Sequence, residues 1–162
     1  MKLKKNIFIF TIIILLSSST QSFPKIVGKN IIFGSSISLT GKYSSEGESL
    51  KNDQKKFIEN INQNDGIKIS GKTYKLEIIY YDNESNDNRA SQLTRRLIEN
   101  EGVQFLIGPF NLKLSNELQN LISDNQLPIV SSHDALKIYI NAFKTLDSVD
   151  SKKIRKYIID NK

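Results

Sequence analysis

Few residues of this 162-residue chain are of a type and spacing that could carry out covalent chemistry. There is no cysteine, which removes disulfides, Cys-ligated zinc and thiol catalysis together. His133 is the single histidine, so neither a His-His metal site nor a Ser-His-Asp triad can be assembled within one chain. Its plainer role is a surface residue at a helix start. Thr40-Gly41-Lys42 has the ending of a phosphate loop, but Ser36 stands five residues before Gly41, where that loop needs glycine. Asp82, Glu84 and Asp87 gather three carboxylates, yet the glycine and terminal glutamate of a calcium loop are missing, and a solvated turn accounts for them. Tyr80-Tyr81 reads as strand packing rather than a base-stacking platform, while Tyr43 is the aromatic best placed for function. No nucleophile–base pair or metal cluster emerges, so the expectation is a non-enzymatic protein that uses no cofactor and no metal.

Charge and hydropathy point outward from the cytoplasm. Lys2, Lys4 and Lys5 precede an apolar run over residues 7–16, and a small, polar stretch over residues 17–22 follows. That is the order of a secretory signal peptide, expected over residues 1–22 with cleavage before Phe23. The run is short for a membrane span, which needs about 20 residues, although an uncleaved anchor is the alternative. Without the three leader lysines, 20 basic residues face 17 acidic ones, and the net charge falls from +6 to +3. The remaining cations, Lys51, Lys55, Lys72, Arg95, Lys113 and Lys152 among them, read as scattered, which gives nucleic-acid binding no support.

The elements that must position any site alternate. Residues 31–39 are β-rich, interrupted by Gly34 and Ser35-Ser36. A helix is predicted over 45–64, with Ser45 and Glu48 as a capping box, Leu50, Phe57, Ile58 and Ile61 on one face, and Asn64-Asp65-Gly66 as its stop. A small hairpin about Ser70-Gly71 leads to a strand at 74–81, a polar loop at 82–88 and a helix at about 89–100 with an Ala90, Leu93, Thr94, Leu97, Ile98 stripe. A strand at 103–107, a helix at about 112–125 and a strand at 127–131 follow. Leu114, Leu118, Leu121 and Ile122 face inward on that helix. Such alternation predicts a three-layer αβα, Rossmann-like, mostly parallel sheet of about four strands. Two further helices end the chain. The first, at 133–146, carries Ala135, Leu136, Tyr139, Ala142, Phe143 and Leu146 inward, and the second is capped by Asp150 or Ser151.

Five ordered segments carry a family resemblance: Ile37-Ser38-Leu39-Thr40-Gly41 with Gly47 and Asn64-Asp65-Gly66; residues 74–85; Asn88-Arg89-Ala90; Gly102-Val103 to Phe110-Asn111; and Leu127-Pro128-Ile129-Val130-Ser131. Together they resemble the first lobe of type I periplasmic binding proteins of the leucine/isoleucine/valine-binding branch, which serve ABC importers. Residues 133–155 look like the far C-terminal region of the same family. Members of that family are more than twice this length and have two lobes, so the resemblance implies an internal deletion. The expected parts are a signal peptide (1–22), one N-terminal lobe (23–132) and a C-terminal helical remnant (133–162).

The family implies strand order two-one-three-four, and ligands of such sheets bind beyond the strand ends where that order reverses. The crevice rims would be residues 40–47 and 108–113. Candidate ligand-binding residues are Thr40, Tyr43, Glu46, Asn111, Leu112 and Ser131. A helix start near Asn111 would offer amides to a carboxylate. The family, however, places a hydroxyl where Leu112 stands, and only Ser131-Ser132 remain of its second ligand-gripping loop. The missing lobe would have supplied the ammonium-binding acid. Losing three or four charge-assisted hydrogen bonds, about 1.5–3 kcal/mol each, removes micromolar affinity. The implied protein is a periplasmic amino-acid receptor of weak or no binding, with an ABC permease as partner and membrane contact only through export. A structural or self-associating protein, or a non-functional remnant, is the alternative.

Overall fold

The computed structural model describes residues 26–27 and 29–161; the expected signal peptide lies outside them. Strand β1 (Ile26–Val27) pairs antiparallel with the foot of β2 (Asn30–Ile37). β2 is the sheet's centre. It runs parallel to β4 (Lys72–Asp82) on one side and to β5 (Phe105–Ile107) on the other, and β6 (Ile129–Val130) runs parallel to β5. β3 (Ile67–Ile69) forms the antiparallel hairpin with β4, so the order is β3-β4-β2-β5-β6. The four parallel strands thus stand in the expected order, and the two short antiparallel strands enlarge the sheet beyond four.

β2 is not interrupted at Gly34-Ser35-Ser36 as expected, but continues through all three, buried throughout from Ile31. Small residues here let Leu97 and Val103 close over the strand. Side chains alternate between two cores. Ile31 and Phe33 enter one with Leu76, Phe105, Ile107 and Val130. Ile32 enters the other with Leu97, Val103, Leu106, Leu118, Ile122 and Leu127.

Helix α1 (Ser44–Gln63) starts one residue early, with Tyr43 at its N-cap and no side-chain cap bond, so the Ser45–Glu48 capping box does not form. The Gly41–Ser44 turn meets the need instead, since the Ser44 amide donates to the Gly41 carbonyl at 3.2 Å. Its C-terminus follows the expected signal. Asp65 is left-handed, and the Gly66 amide returns to the Ile61 carbonyl at 2.8 Å. α2 (Asp87–Glu99) begins two residues before the expected start, because the Asn86 side chain accepts from the Arg89 amide. α3 (Asn116–Asp124) begins four residues late, at the Ser115 cap. α2 and α3 contribute to the second core.

The chain's last two helices complete the first core. α4 (Ala135–Leu146) buries Leu136, Tyr139, Ile140 and Phe143, the i, i+3, i+4, i+7 face. Ile140 therefore belongs to that face, and Leu146, expected inward, is exposed where the helix ends at left-handed Asp147. Phe33, Phe105, Tyr139 and Phe143 form one aromatic cluster with centroid separations of 5.0–6.2 Å. The fully buried Tyr139 hydroxyl donates to the Leu106 and Pro128 carbonyls at 2.8 and 3.0 Å, joining α4 to β5 and the residue before β6. α5 (Ser151–Asp160) is capped by Asp150, which accepts from the Lys152 and Lys153 amides, and adds Ile154 and Ile158 to the same core. Asp147, between the two helices, accepts hydrogen bonds from Ser70 of the β3–β4 hairpin. The result is the expected αβα layering, with the tail as part of it. Among the described residues no helix is long and apolar enough to cross a membrane.

Candidate functional site

The crevice is built where β2 and β5 end side by side. Past Ile37 the chain turns over residues 38–43 into α1, and the helix approaches so closely that a Cβ on Gly47 would stand 1.7 Å from the Ser38 carbonyl oxygen. Only glycine fits there. The turn is held from the neighbouring β4–α2 loop, more than forty residues away. Asp82 Oδ1 accepts from the Leu39, Thr40 and Glu84 amides at 2.9, 3.3 and 2.9 Å, and Oδ2 accepts from the Thr40 hydroxyl at 2.8 Å. Partial desolvation opposes ionisation of Asp82, but these hydrogen bonds outweigh it and hold the carboxyl below the usual range. Ser85 Oγ accepts from the Tyr43 amide (3.0 Å) and donates to the Thr40 carbonyl (2.7 Å). Ser38 Oγ donates to buried Asn83 at 2.7 Å.

The three acids at 82–87 thus do not converge. Asp82 ties the first rim and Glu84 pairs with Arg89 at 3.2 Å. Asp87 accepts from the Lys113 amide at 3.1 Å, holding the second rim. Only Glu84 and Asp87 remain exposed, so a solvated turn describes part of the loop, while Asp82 is structural.

On the second rim, Gly108 lies under Ser131. A Cβ there would be 2.1 Å from the Ser131 hydroxyl oxygen, so the two loops meet without a side chain between them. Asn111 is exposed and left-handed (φ 63), and Leu112 is half-buried. The Ser115 amide donates to Ser91 Oγ at 2.8 Å, and Ser115 Oγ in turn accepts from the Leu118 amide at 3.3 Å. Residues 112–115 are therefore held as loop against α2, and the amides at the start of α3 lie beyond the turn at Asn111. Phe110 packs edge-on against the His133 ring at 4.4 Å, which joins this rim to the start of α4.

Thr40, Tyr43 and Glu46 share the first rim, Asn111 and Leu112 the second, and Ser131 closes onto Gly108. Thr40's hydroxyl is already committed to Asp82. Sequence reasoning missed Asp82, Asn83 and Ser85 as the group that shapes the rim; their signal was a cluster of turn-forming side chains directly after a strand.

Two concavities border the loop between β6 and α4. A groove of about 530 Å³ runs along β6 between α4 and α5, lined by Val130, Ser131, Ser132, Ile138, Tyr157 and Ile158 among others. A cleft of about 260 Å³ lies between α1 and the start of α4, with Gln54, Phe57, His133 and Leu136 in its walls. Gln54 is buried; its Oε1 accepts from Tyr80 at 3.0 Å, and its Nε2 has no hydrogen-bond partner among the described residues.

A family model described as periplasmic binding protein matches residues 30–154, from β2 into α5. Two solved structures with TM-scores above 0.5 share the fold, and a third is a more distant likeness. The branched-chain amino acid transporter substrate-binding protein LivJ of Streptococcus pneumoniae, in complex with isoleucine, is 16% identical at a TM-score of 0.53, covering 82% of this chain and 46% of that one. A candidate branched-chain amino acid ABC transporter protein from Silicibacter pomeroyi is 23% identical at 0.52, covering 67% and 28%. A Rhodopseudomonas palustris solute-binding protein in complex with benzoate is 21% identical at 0.49, covering 62% and 26%. The chain thus spans between 26% and 46% of the length of these three proteins. With the match to the family model extending over most of its length, this chain belongs to the periplasmic binding protein family.

Proposed function

We propose that this chain is an exported, non-enzymatic solute-binding lobe of the branched-chain amino-acid type, associated with an ABC importer. We propose further that it holds amino acids very weakly because one wall of the cleft is absent. The observation that carries this is a single doubly wound unit in which two rims, 40–47 and 108–113, stand at the strand ends. Around those rims, ligand-ready groups are few. Thr40's hydroxyl is engaged by Asp82, Leu112 brings no polar side chain, and Tyr43, Glu46, Asn111 and Ser131 remain. Location in the periplasm through a cleaved 1–22 segment, an internal deletion between residues 132 and 133, and an ABC permease as partner belong to the same proposal.

Calorimetry with leucine, isoleucine and benzoate tests it. The expected result is no saturable binding up to about 1 mM ligand, equivalent to an affinity weaker than about −4 kcal/mol. A dissociation constant below about 10 μM for leucine, near −7 kcal/mol, would overturn the weak-binding reading. A second reading, self-association, is favoured by one observation. β6 is the last strand of the order, and on the parallel ladder Ile129 directs its backbone groups away from β5, towards the groove beside α5. Light scattering that shows a concentration-dependent dimer supports this reading, and a monomer throughout removes it.

A further inference from the structure

α5 presents a cationic face that the crevice does not use. At about 100° per residue, its buried side is set by Ser151, Ile154 and Ile158. From Ser151 the circumference runs on through Arg155, Ile159, Lys152, Lys156, Asp160 and Lys153. At the edge of this arc, half-buried Arg155 also borders, with Ile159, a small cleft lined by Ile122, Leu127 and Ile129. Ile159 is 49% exposed, the more exposed of the two large apolar side chains that reach solvent among the described residues. These cations, Ile159, Gln126 and Asp160 line one shallow, open depression of about 510 Å³. Asp160 pairs with Lys156 at 3.5 Å, and Lys152, Lys153 and Arg155 make no ion pair among the described residues. Lys152, Lys153, Arg155 and Lys156, close together in the sequence, form on this helix a cationic arc beside one exposed apolar side chain.

We propose that this face of α5 seats the protein on an anionic lipid surface, with Ile159 entering the headgroup layer and the surrounding cations facing lipid phosphates. Charge complementarity selects an anionic partner. The depression is shallow and open, with an exposed isoleucine among flexible cationic stems, which suits a plane of headgroups better than an acidic peptide that needs a shaped groove. Lysine and arginine stems also let the charges adjust to a fluid surface. The site lies apart from both crevice rims, so the proposal stands independently of amino-acid binding.

Vesicle co-sedimentation tests it, with the chain from residue 23 onward, which contains every described element and both cores. The probes are vesicles of phosphatidylcholine alone and vesicles containing one-third phosphatidylglycerol. Each cation near an anionic leaflet contributes about fivefold to partitioning. The Lys152→Gln/Lys156→Gln variant is therefore expected to bind the anionic vesicles about 25-fold more weakly. Ile159→Ser is expected to lose about tenfold. All three side chains are exposed, so circular dichroism is expected to be unchanged. Raising salt to about 1 M, where the Debye length is about 3 Å, is expected to release the unaltered protein. Equal binding to both vesicle types, binding insensitive to salt, or variants that bind like the parent overturn the proposal. So does capture by poly-glutamate without capture by vesicles.

Discussion

Removing the Tyr139 hydroxyl while keeping its ring isolates the bond that fastens α4 to the sheet. The side chain is wholly buried, and its one proton is shared between the Leu106 and Pro128 carbonyls at 2.8 and 3.0 Å. The Pro128 carbonyl also accepts from the Leu106 amide at 3.1 Å, so it keeps a partner in Tyr139→Phe. The loss should therefore be close to one net hydrogen bond, about 1–1.5 kcal/mol. Tyr139→Ala removes the ring from contact with Phe33, Phe105 and Phe143 as well, and should cost about 3–5 kcal/mol. Urea unfolding of parent and variants measures both. A pH series adds a second, independent readout. Burial pushes the Tyr139 phenol well above its usual range, and burial raises Tyr80 too. A raised phenol stays protonated in the folded chain while the unfolded chain ionises above pH about 10. Its contribution is thus full below that pH and falls by about 1.4 kcal/mol per pH unit above it. The gap between parent and Tyr139→Phe should shrink accordingly as pH rises past 10. A Tyr139→Phe protein as stable as the parent, with a gap that stays constant in alkali, would refute the buried, bonded phenol. A Tyr139→Ala loss below about 1 kcal/mol, far short of the ring's expected worth, would refute the docking of α4.

Two further substitutions probe the first rim. Gly47→Ala should destabilise by about 1–3 kcal/mol in thermal or urea unfolding, reversing the gain of about 1 kcal/mol that Gly→Ala normally brings to a helix interior, because its Cβ would sit 1.7 Å from the Ser38 oxygen; a more stable variant contradicts that contact. Asp82→Asn should cost about 1 kcal/mol at neutral pH. Because the Asp82 carboxyl is held below its usual range, this contribution exists above pH about 4 and is lost as pH falls through the folded value, so parent and variant should converge in acid. Stability curves that stay parallel below pH 4 count against the Asp82 cradle.

What could be read from the sequence was local. The stripe of α2 and the Asn64-Asp65-Gly66 stop are set by neighbours in the chain and appear where expected, while the apolar runs at 103–107 and 127–131 hold only the shorter strands Phe105–Ile107 and Ile129–Val130. What could not be read depends on partners far along the chain. The Ser45–Glu48 box is a sound local signal, displaced because the Gly41–Ser44 turn is held by Asp82 and Ser85 more than forty residues away. α3 starts late because Asp87 and Ser91 hold residues 113 and 115 outside the helix. Within the candidate site, the rim residues fall on the expected loops, but Thr40's engagement by Asp82 and Ser131's contact with Gly108 are tertiary facts. The cationic face of α5 is the converse case. Lys152, Lys153, Arg155 and Lys156 are adjacent in the sequence, and helical geometry alone gathers them.

The tail's role in the fold can be argued apart from its ancestry. A doubly wound sheet must cover both faces, and on the first face Phe33, Phe105, Ile107 and Val130 lie under α4 and α5 with α1 alongside. Tyr139 and Phe143 each bury about 150–250 Å², worth on the order of 4–6 kcal/mol apiece at about 25 cal/mol per Å². A chain ending before Ala135 would leave those four apolar residues facing water. Residues 135–158 supply the helical layer that covers this face of β5 and β6, while α2 and α3 cover the other. The second rim hangs from the end of β5, so the tail's packing supports it, as Asp82 and Ser85 support the first.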